Sequence, residues 1–252
     1  MVHAARNGFF YALDRTNGSF VAGKQYVDQL NWTPGLDPLD PKTGQPLNYD
    51  PAGNVQYYNE NSHGTRARPQ SAKLCPSIQG GKNWEPSAYN PQLGLLYIPS
   101  IEGCAAIKSV EQKDMTDQGG TAKFRERFTG GGAVWPERLY GSLKAVDPVT
   151  GEIKATAKLT YPNFAGALAT AGDLVFLGHM DGTFAAYDAK TLQEVWSFNV
   201  GSGINAPPIS YSVNGKQYVA VLVGARQPTN ILQNLPELRN TSTASMLYVF
   251  SL

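Results

Sequence analysis

Residues 141–151, GSLKAVDPVTG, and residues 182–192, GTFAAYDAKTL, are two copies of one unit. In each, a glycine opens the unit, an alanine follows four positions on, an aspartate six and a threonine nine. Residues 8–18, GFFYALDRTNG, repeat the glycine, alanine and aspartate, and DPKTG at 40–44 repeats the turn half alone. The alternating run before the aspartate has the two-residue period of a strand. Asp-x-x-Thr-Gly then reads as a turn: the carboxylate accepts backbone N–H groups across it, and glycine supplies the left-handed position. A second strand follows, EIKATAKL after Gly151 and EVWSFNV after Leu192.

Asp147 and Asp188 stand 41 residues apart, the length of one four-stranded propeller blade. Asp14 lies 133 residues before Asp147, which leaves room for roughly three such periods with insertions. LGLLYIPS (93–100), KQYVAVLVG (216–224) and SMLYVFSL (245–252) read as further strands. The expected class is all-β, a β-propeller of four-stranded antiparallel blades, with strands for about four blades. A β-sandwich is the rival, but it does not call for a unit that returns at blade length.

Composition agrees. The 252 residues are 42% hydrophobic and 11% aromatic, enough to bury the core of one large domain or two small ones. Gly 26 and Pro 17 suit short strands joined by turns. With 21 basic against 20 acidic residues the net charge is +1, which argues against nucleic acid as a partner. No run of 18 apolar residues exists and the opening MVHAARNGFF lacks a secretory apolar segment, so the sequence as it stands predicts neither a membrane span nor self-export. His3, His63 and His179 have no metal-like partners nearby in sequence and read as structural or solvated.

The last repeat carries Ala186, Asp188, Thr191 and Trp196. It resembles the tryptophan-docking unit of the pyrroloquinoline quinone (PQQ) dependent alcohol dehydrogenases, eight-bladed propellers whose blades share Ala-x-Asp-x-x-Thr-Gly-x-x-x-Trp. Leu192 replaces the glycine here, and the two other copies have Ala22 and Ala155 in place of the tryptophan. The resemblance extends through HAARNGFFYALDRTNG (3–18), KLCPSIQGGKNWEPSAYNPQLGLLYIP (73–99), GALATAGDLVFLGHMDGTFAAYDAKT (166–191) and GKQYVAVLVG (215–224). It implies that residues 1–252 are the C-terminal portion of such a propeller domain, about four of its eight blades.

The same resemblance places a cation, here Arg6, at the reactive carbonyl oxygens of PQQ, where it would polarise the quinone and stabilise the reduced, oxyanionic form. It makes Asn83 a second PQQ contact, with Trp84 beside it; a carboxamide both donates and accepts, which suits a cofactor edged with carbonyls, carboxylates and a pyrrole N–H. Taken by themselves, an arginine before Asn-Gly is ordinarily a solvated turn residue, and an asparagine before tryptophan a turn cap. Trp84 could equally be core. Cys75 and Cys104 lie 29 positions apart without a CxxC pattern, so zinc or thioredoxin-like chemistry is poorly supported. Relatives join cysteines at these positions in a disulfide, which implies a bridge here worth roughly 3 to 4 kcal/mol that holds the Asn83 loop to its strand and points to the periplasm. Two buried free thiols are the alternative.

In the family a calcium or lanthanide ion on PQQ is held by Glu, Asn and Asp, and an aspartate serves as base; these lie upstream of the arginine motif. Only five residues precede Arg6, so no catalytic residue and no metal ligand is assigned to this chain. It is expected to act on a small alcohol only as part of an enzyme and to be inactive alone. No CxxCH motif occurs, so electrons are expected to pass to a separate soluble cytochrome c. ARQPTNILQNLPELRN (225–240) reads as a polar, proline-broken lid and Phe164 stands where several relatives have tryptophan, which together imply a primary or secondary alcohol of moderate size. TGGG (129–132) and Trp135–Pro136 are expected near the cofactor. A partial propeller would expose sheet faces, so self-association is expected. The alternative function is a non-catalytic propeller that binds proteins, which would share the turn units without the Arg6 and Asn83 constellation.

Overall fold

The computed structural model describes residues 1–34, 39–62, 71, 73–108, 133–224 and 229–251. His63 and the glycine run 129–132 lie outside them. The first sheet holds β1 (Val2–Ala4), β2 (Phe9–Leu13) and β3 (Phe20–Gln25) in that order. The second joins β6 (Ala88–Asn90), β7 (Leu95–Glu102), β10 (Tyr140–Val146) and β11 (Ile153–Leu159) in the order β11-β10-β7-β6. The third runs β12 (Ala167–Ala169), β13 (Leu174–Gly178), β14 (Thr183–Asp188), β15 (Glu194–Asn199), and the fourth β16 (Ile209–Val213), β17 (Lys216–Val223), β18 (Met246–Ser251). Every pairing in these sheets is antiparallel. Two short ribbons sit in the connections: β4 (Tyr49–Asp50) with β5 (Val55–Gln56), and β8 (Ala106–Ile107) with β9 (Ala133–Val134). This is the all-β antiparallel architecture expected from the repeats.

The sheets pack face to face in chain order. Phe10, Ala12 and Tyr26 of the first region meet Leu96, Ile98 and Val146 of the second sheet. Tyr97, Leu143 and Ala145 then meet Val175, Leu177 and Tyr187 of the third. Phe176, Phe184 and Ala186 in turn meet Val219, Val221 and Val223 of the fourth. The central strands β7, β10, β13 and β14 thus bury residues on both of their faces, and two apolar layers flank each inner sheet. Tyr97 also crosses between sheets: its hydroxyl donates to Ala189 O at 2.8 Å, and burial pushes its phenol up to about 12.

The repeated aspartates work as the sequence suggests. Each of Asp14, Asp40, Asp147 and Asp188 accepts the N–H of the residue two positions on through its Oδ1. The N–H four positions on, from Gly18, Gly44, Gly151 and Leu192, returns to the aspartate carbonyl at 2.8 to 2.9 Å. Those four residues all have positive φ, +76°, +69°, +73° and +56°. Thr43, Thr150 and Thr191 Oγ1 each accept the N–H two residues later. In the three full units the strand pairing slips by one residue just after the alanine, at Ala12, Ala145 and Ala186. A bulge at that point turns the strand into its turn.

Among the described residues no helix is long and apolar enough to cross a membrane. An aromatic patch of Trp196, Phe198, Tyr248 and Phe250 lies along β15 and β18, with Trp196 40% and Phe198 46% exposed.

Candidate functional site

In the three full units the Asp turns close one end of the sheet; the opposite end carries the β1–β2 and β13–β14 turns together with the connections between sheets. These are tied to one another by the main chain. Gly81 N–H donates to Arg6 O at 3.0 Å and Ile101 N–H to Gly81 O at 2.8 Å. Asn163 reaches both sides, its N–H to Ser100 O at 3.4 Å and its Nδ2 to Gly178 O at 2.8 Å. Ile204 N–H donates to His179 O and Gly224 N–H to Gly203 O, each at 3.0 Å. A belt of hydrogen bonds therefore runs from the first sheet to the fourth along one end.

Arg6 sits in the β1–β2 connection and is exposed; its Nη2 donates to Ile78 O. Packing explains the paired glycines. A Cβ on Gly80 would lie 2.1 Å from Arg6 Cγ, and one on Gly81 would lie 2.3 Å from Val27 Cγ1 and 2.7 Å from the Tyr26 hydroxyl. Only glycine lets the 80–81 backbone come this close to the arginine turn. A groove of about 500 Å³ opens beside Arg6, walled by Trp32, Tyr58, Leu74, Pro76 and Ile78; Asn83 is not among its walls. What brings Arg6 and the Asn83 loop together is the main-chain bond from Gly81.

Beyond the glycines the four residues divide. Lys82 and Glu85 are buried, whereas Asn83 and Trp84 are exposed, the indole by 66%. The Asn83 carboxamide makes no hydrogen bond among the described residues, while its main-chain N–H donates to Glu85 Oε2 at 2.8 Å. Burial pushes the Lys82 ammonium down, against the opposing pull of the Glu85 charge. Trp84 is thus not a core residue.

Cys75 and Cys104 are joined in a disulfide with S–S 2.06 Å, and both are buried. The bridge is flanked by pairing of Leu74 with Ala105 and by Ser77 N–H on Gly103 O at 3.0 Å, so 74–77 runs along 103–105. The free-thiol alternative falls. His3 is exposed on β1. His179 is enclosed in the β13–β14 turn, where Nε2 meets the Tyr187 hydroxyl at 3.1 Å and burial pushes the imidazole down.

Two features escaped the sequence reading. Glu102 and Lys144, neither more than 2% exposed, form a salt bridge at 2.8 Å; Lys144 also binds Asp28 Oδ1 at 2.8 Å and Tyr26 O. Ser100 and Ser142 hydroxyls reach the same Glu102 oxygen at 2.7 and 2.8 Å, and Asp28 N–H the other at 2.8 Å. The second feature corrects the polar lid. Residues Thr229–Asn234 form a helix, α1, followed by a 3-10 turn Pro236–Asn240. Ile231, Leu235 and Leu238 are buried from this segment on Phe164, Ile101, Leu139 and Met180. Their spacing of four and three residues, one helix face, was the available signal. Asn234 fixes the neighbouring loop, accepting Leu139 N–H and donating to Glu137 O, both at 2.8 Å.

Among the described residues no group of three or more His, Cys, Asp or Glu side chains could hold a metal ion. The adjoining loops carry a guanidinium at Arg6, bonded to Ile78 O, and a carboxamide at Asn83 with no hydrogen bond among the described residues, and Gly80 and Gly81 have no room for a Cβ.

The family description "Glucose/ethanol/alcohol dehydrogenase, beta-propeller domain" matches residues 128–219. The chain is 39% identical over 228 residues to quinoprotein alcohol dehydrogenase PedH of Pseudomonas putida, covering 88% of this chain and 35% of PedH. Among solved structures it is similar to a europium-containing methanol dehydrogenase, with TM-score 0.74, 26% identity and coverage of 100% of this chain and 44% of that one. It is likewise similar to the quinohemoprotein alcohol dehydrogenase of Comamonas testosteroni, with TM-score 0.72, 30% identity and coverage of 99% and 35%. The chain therefore spans about a third of the length of its sequence relatives.

Proposed function

Because the chain is related in sequence and fold to the PQQ-dependent quinoprotein alcohol dehydrogenases, we propose that it is the C-terminal portion of such an enzyme's propeller, residues 1–252, and grips one edge of PQQ. The observation that carries this is the pairing of Arg6 with the Gly80–Asn83 loop through the Gly81 to Arg6 main-chain bond, which leaves a guanidinium and a free carboxamide on adjoining loops. Arg6 would contact the carbonyl edge and favour the electron-rich, reduced form by its fixed charge. Asn83 would donate and accept along the cofactor's edge, and Trp84 would cover it from beside. When bound, PQQ supplies the electron sink that receives hydride from the alcohol.

The calcium or lanthanide ligands and the aspartate base belong, on this reading, to residues outside this chain, so the chain alone binds without turnover. The substrate is a primary or secondary alcohol of moderate size. Phe164, roofed by Ile231, Leu235 and Leu238, supports an apolar rather than a polar enclosure on that side. Electrons leave to a separate soluble cytochrome c. The Cys75–Cys104 disulfide supports a periplasmic setting. The exposed Trp196 and Phe198 support association of the isolated chain with itself.

The test is titration of the purified, folded chain with PQQ, with calcium and then with a lanthanide, following quinone absorbance and dye-linked ethanol oxidation. Binding that weakens in Arg6→Ala and Asn83→Ala, without turnover, is the expected result. Turnover would refute the assignment of base and metal site to other residues, and absence of binding would leave either the protein-binding scaffold or a portion too incomplete to form the site.

A further inference from the structure

The loop Lys82–Glu85 buries two charges beside two exposed side chains. Glu85 is 1% exposed and Lys82 8%. Both main-chain polar groups of Asn83 are taken: Glu85 Oε2 accepts its N–H at 2.8 Å, and Lys82 Nζ donates to its carbonyl at 3.4 Å. Glu85 Oε1 is buried with no hydrogen-bond partner among the described residues. Other groups surround the carboxylate: the Tyr26 phenol feels its charge, donates to Ala5 O at 2.8 Å and stands 2.7 Å from where a Gly81 Cβ would be.

A carboxylate is expensive to bury unless a charge and hydrogen bonds compensate it. A solvated turn needs none, since a serine or aspartate at its surface caps the same N–H in contact with water. Here the acceptor comes from beneath the turn and fixes the Asn83 peptide from the protein side. The Asn83 carboxamide and the Trp84 indole are thereby left outside. Lys82 donates to Asn83 O, and the Glu85 charge favours the Lys82 ammonium that burial disfavours.

We infer that Glu85 is a positioning residue that sets the outward pose of Asn83 and Trp84. Its consequence for PQQ rests on the reading given above; the pose itself does not. Glu85→Gln keeps an acceptor for the Asn83 N–H and loses the charge. Glu85→Leu loses both. Lys82→Met/Glu85→Leu removes the acceptor and both buried charges. Trp84 emission is isolated as the difference between each protein and its Trp84→Phe version, and its acrylamide quenching reports the pose.

Glu85→Gln is expected to keep the parent's Trp84 quenching. Glu85→Leu is expected to change it and to weaken PQQ binding by about tenfold or more, on the order of 1.4 kcal/mol. Lys82→Met/Glu85→Leu is expected to melt above Glu85→Leu, yet to recover neither the quenching nor the PQQ affinity. A merely structural role predicts that all three recover together, and that result overturns the inference. So does parental quenching in Glu85→Leu or, should that variant not fold, in the double variant. If the parent chain itself does not bind PQQ, the cofactor reading fails while Trp84 quenching still decides the pose.

Discussion

Leu192 occupies the turn position that glycine holds at 18, 44 and 151, at φ +56°, with its side chain 3% exposed. Two terms compete there. The left-handed backbone costs a non-glycine residue about 1 to 2 kcal/mol, whereas deleting a buried leucine side chain costs about 3 to 5 kcal/mol. Burial beside Val175, Tyr187 and Ala189 therefore wins. Leu192→Gly should lower the unfolding free energy by about 2 kcal/mol in urea denaturation; a more stable variant would show that backbone strain dominates. The departure from Gly was visible in the sequence, but its compensation was not, because the cluster that buries Leu192 also needs Tyr97, Leu143 and Val175 from other strands. Lys82 and Glu85 were opaque for the same reason. Nothing local distinguishes a buried lysine or glutamate from a solvated one; the adjoining Gly81 packs on Tyr26 and Val27, more than fifty residues earlier.

At the scale of the element, the Asp turns are self-contained: five residues, one carboxylate, one threonine and one left-handed position. This is why they could be read from sequence, and why the strands around them fell where expected, β11 after Gly151 and β15 after Leu192. Backbone hydrogen bonds hold the Asp40, Asp147 and Asp188 carboxyls below the ordinary value, and at Asp14 the Thr16 hydroxyl leads. A carboxyl depressed in the folded state contributes stability above its unfolded value, about 3.9, and loses it as pH falls through the folded one. The urea midpoint should accordingly drop as pH falls below about 4. Asp188→Asn, which keeps an acceptor but cannot titrate, should flatten part of that dependence; an unchanged profile would mean that other carboxyls govern acid unfolding. The lid was legible in the opposite sense. Its prolines, glutamines and asparagines hid three apolar residues on one face, and composition outweighed spacing in the reading.

For the whole molecule, the Glu102–Lys144–Asp28 cluster joins the connection after β3 to the middle of the second sheet. Its members are 42 and 116 residues apart from Lys144, so no sequence pattern announces them. Removing one partner strands a buried charge. Lys144→Met should therefore cost about 3 to 5 kcal/mol and lower the melting temperature by on the order of 10 °C. Lys144→Met/Glu102→Leu should recover most of the loss, and equal melting of the single and double variants would show that the charges are not what the site requires.

The two ends of the sheets differ in one further way. The Asp turns are complete within a single hairpin and can form before neighbouring sheets meet. The hydrogen bonds from Gly81 to Arg6, from Ile101 to Gly81 and from Gly224 to Gly203 join separate segments and exist only once those segments have docked. Any molecule that seats across Arg6 and Asn83 thus selects the assembled state over the separated one, and its binding energy adds to the cohesion of the stack. Ligand and architecture are thermodynamically linked: occupancy tightens assembly, and loosening of one sheet is felt as lost affinity at the opposite loop.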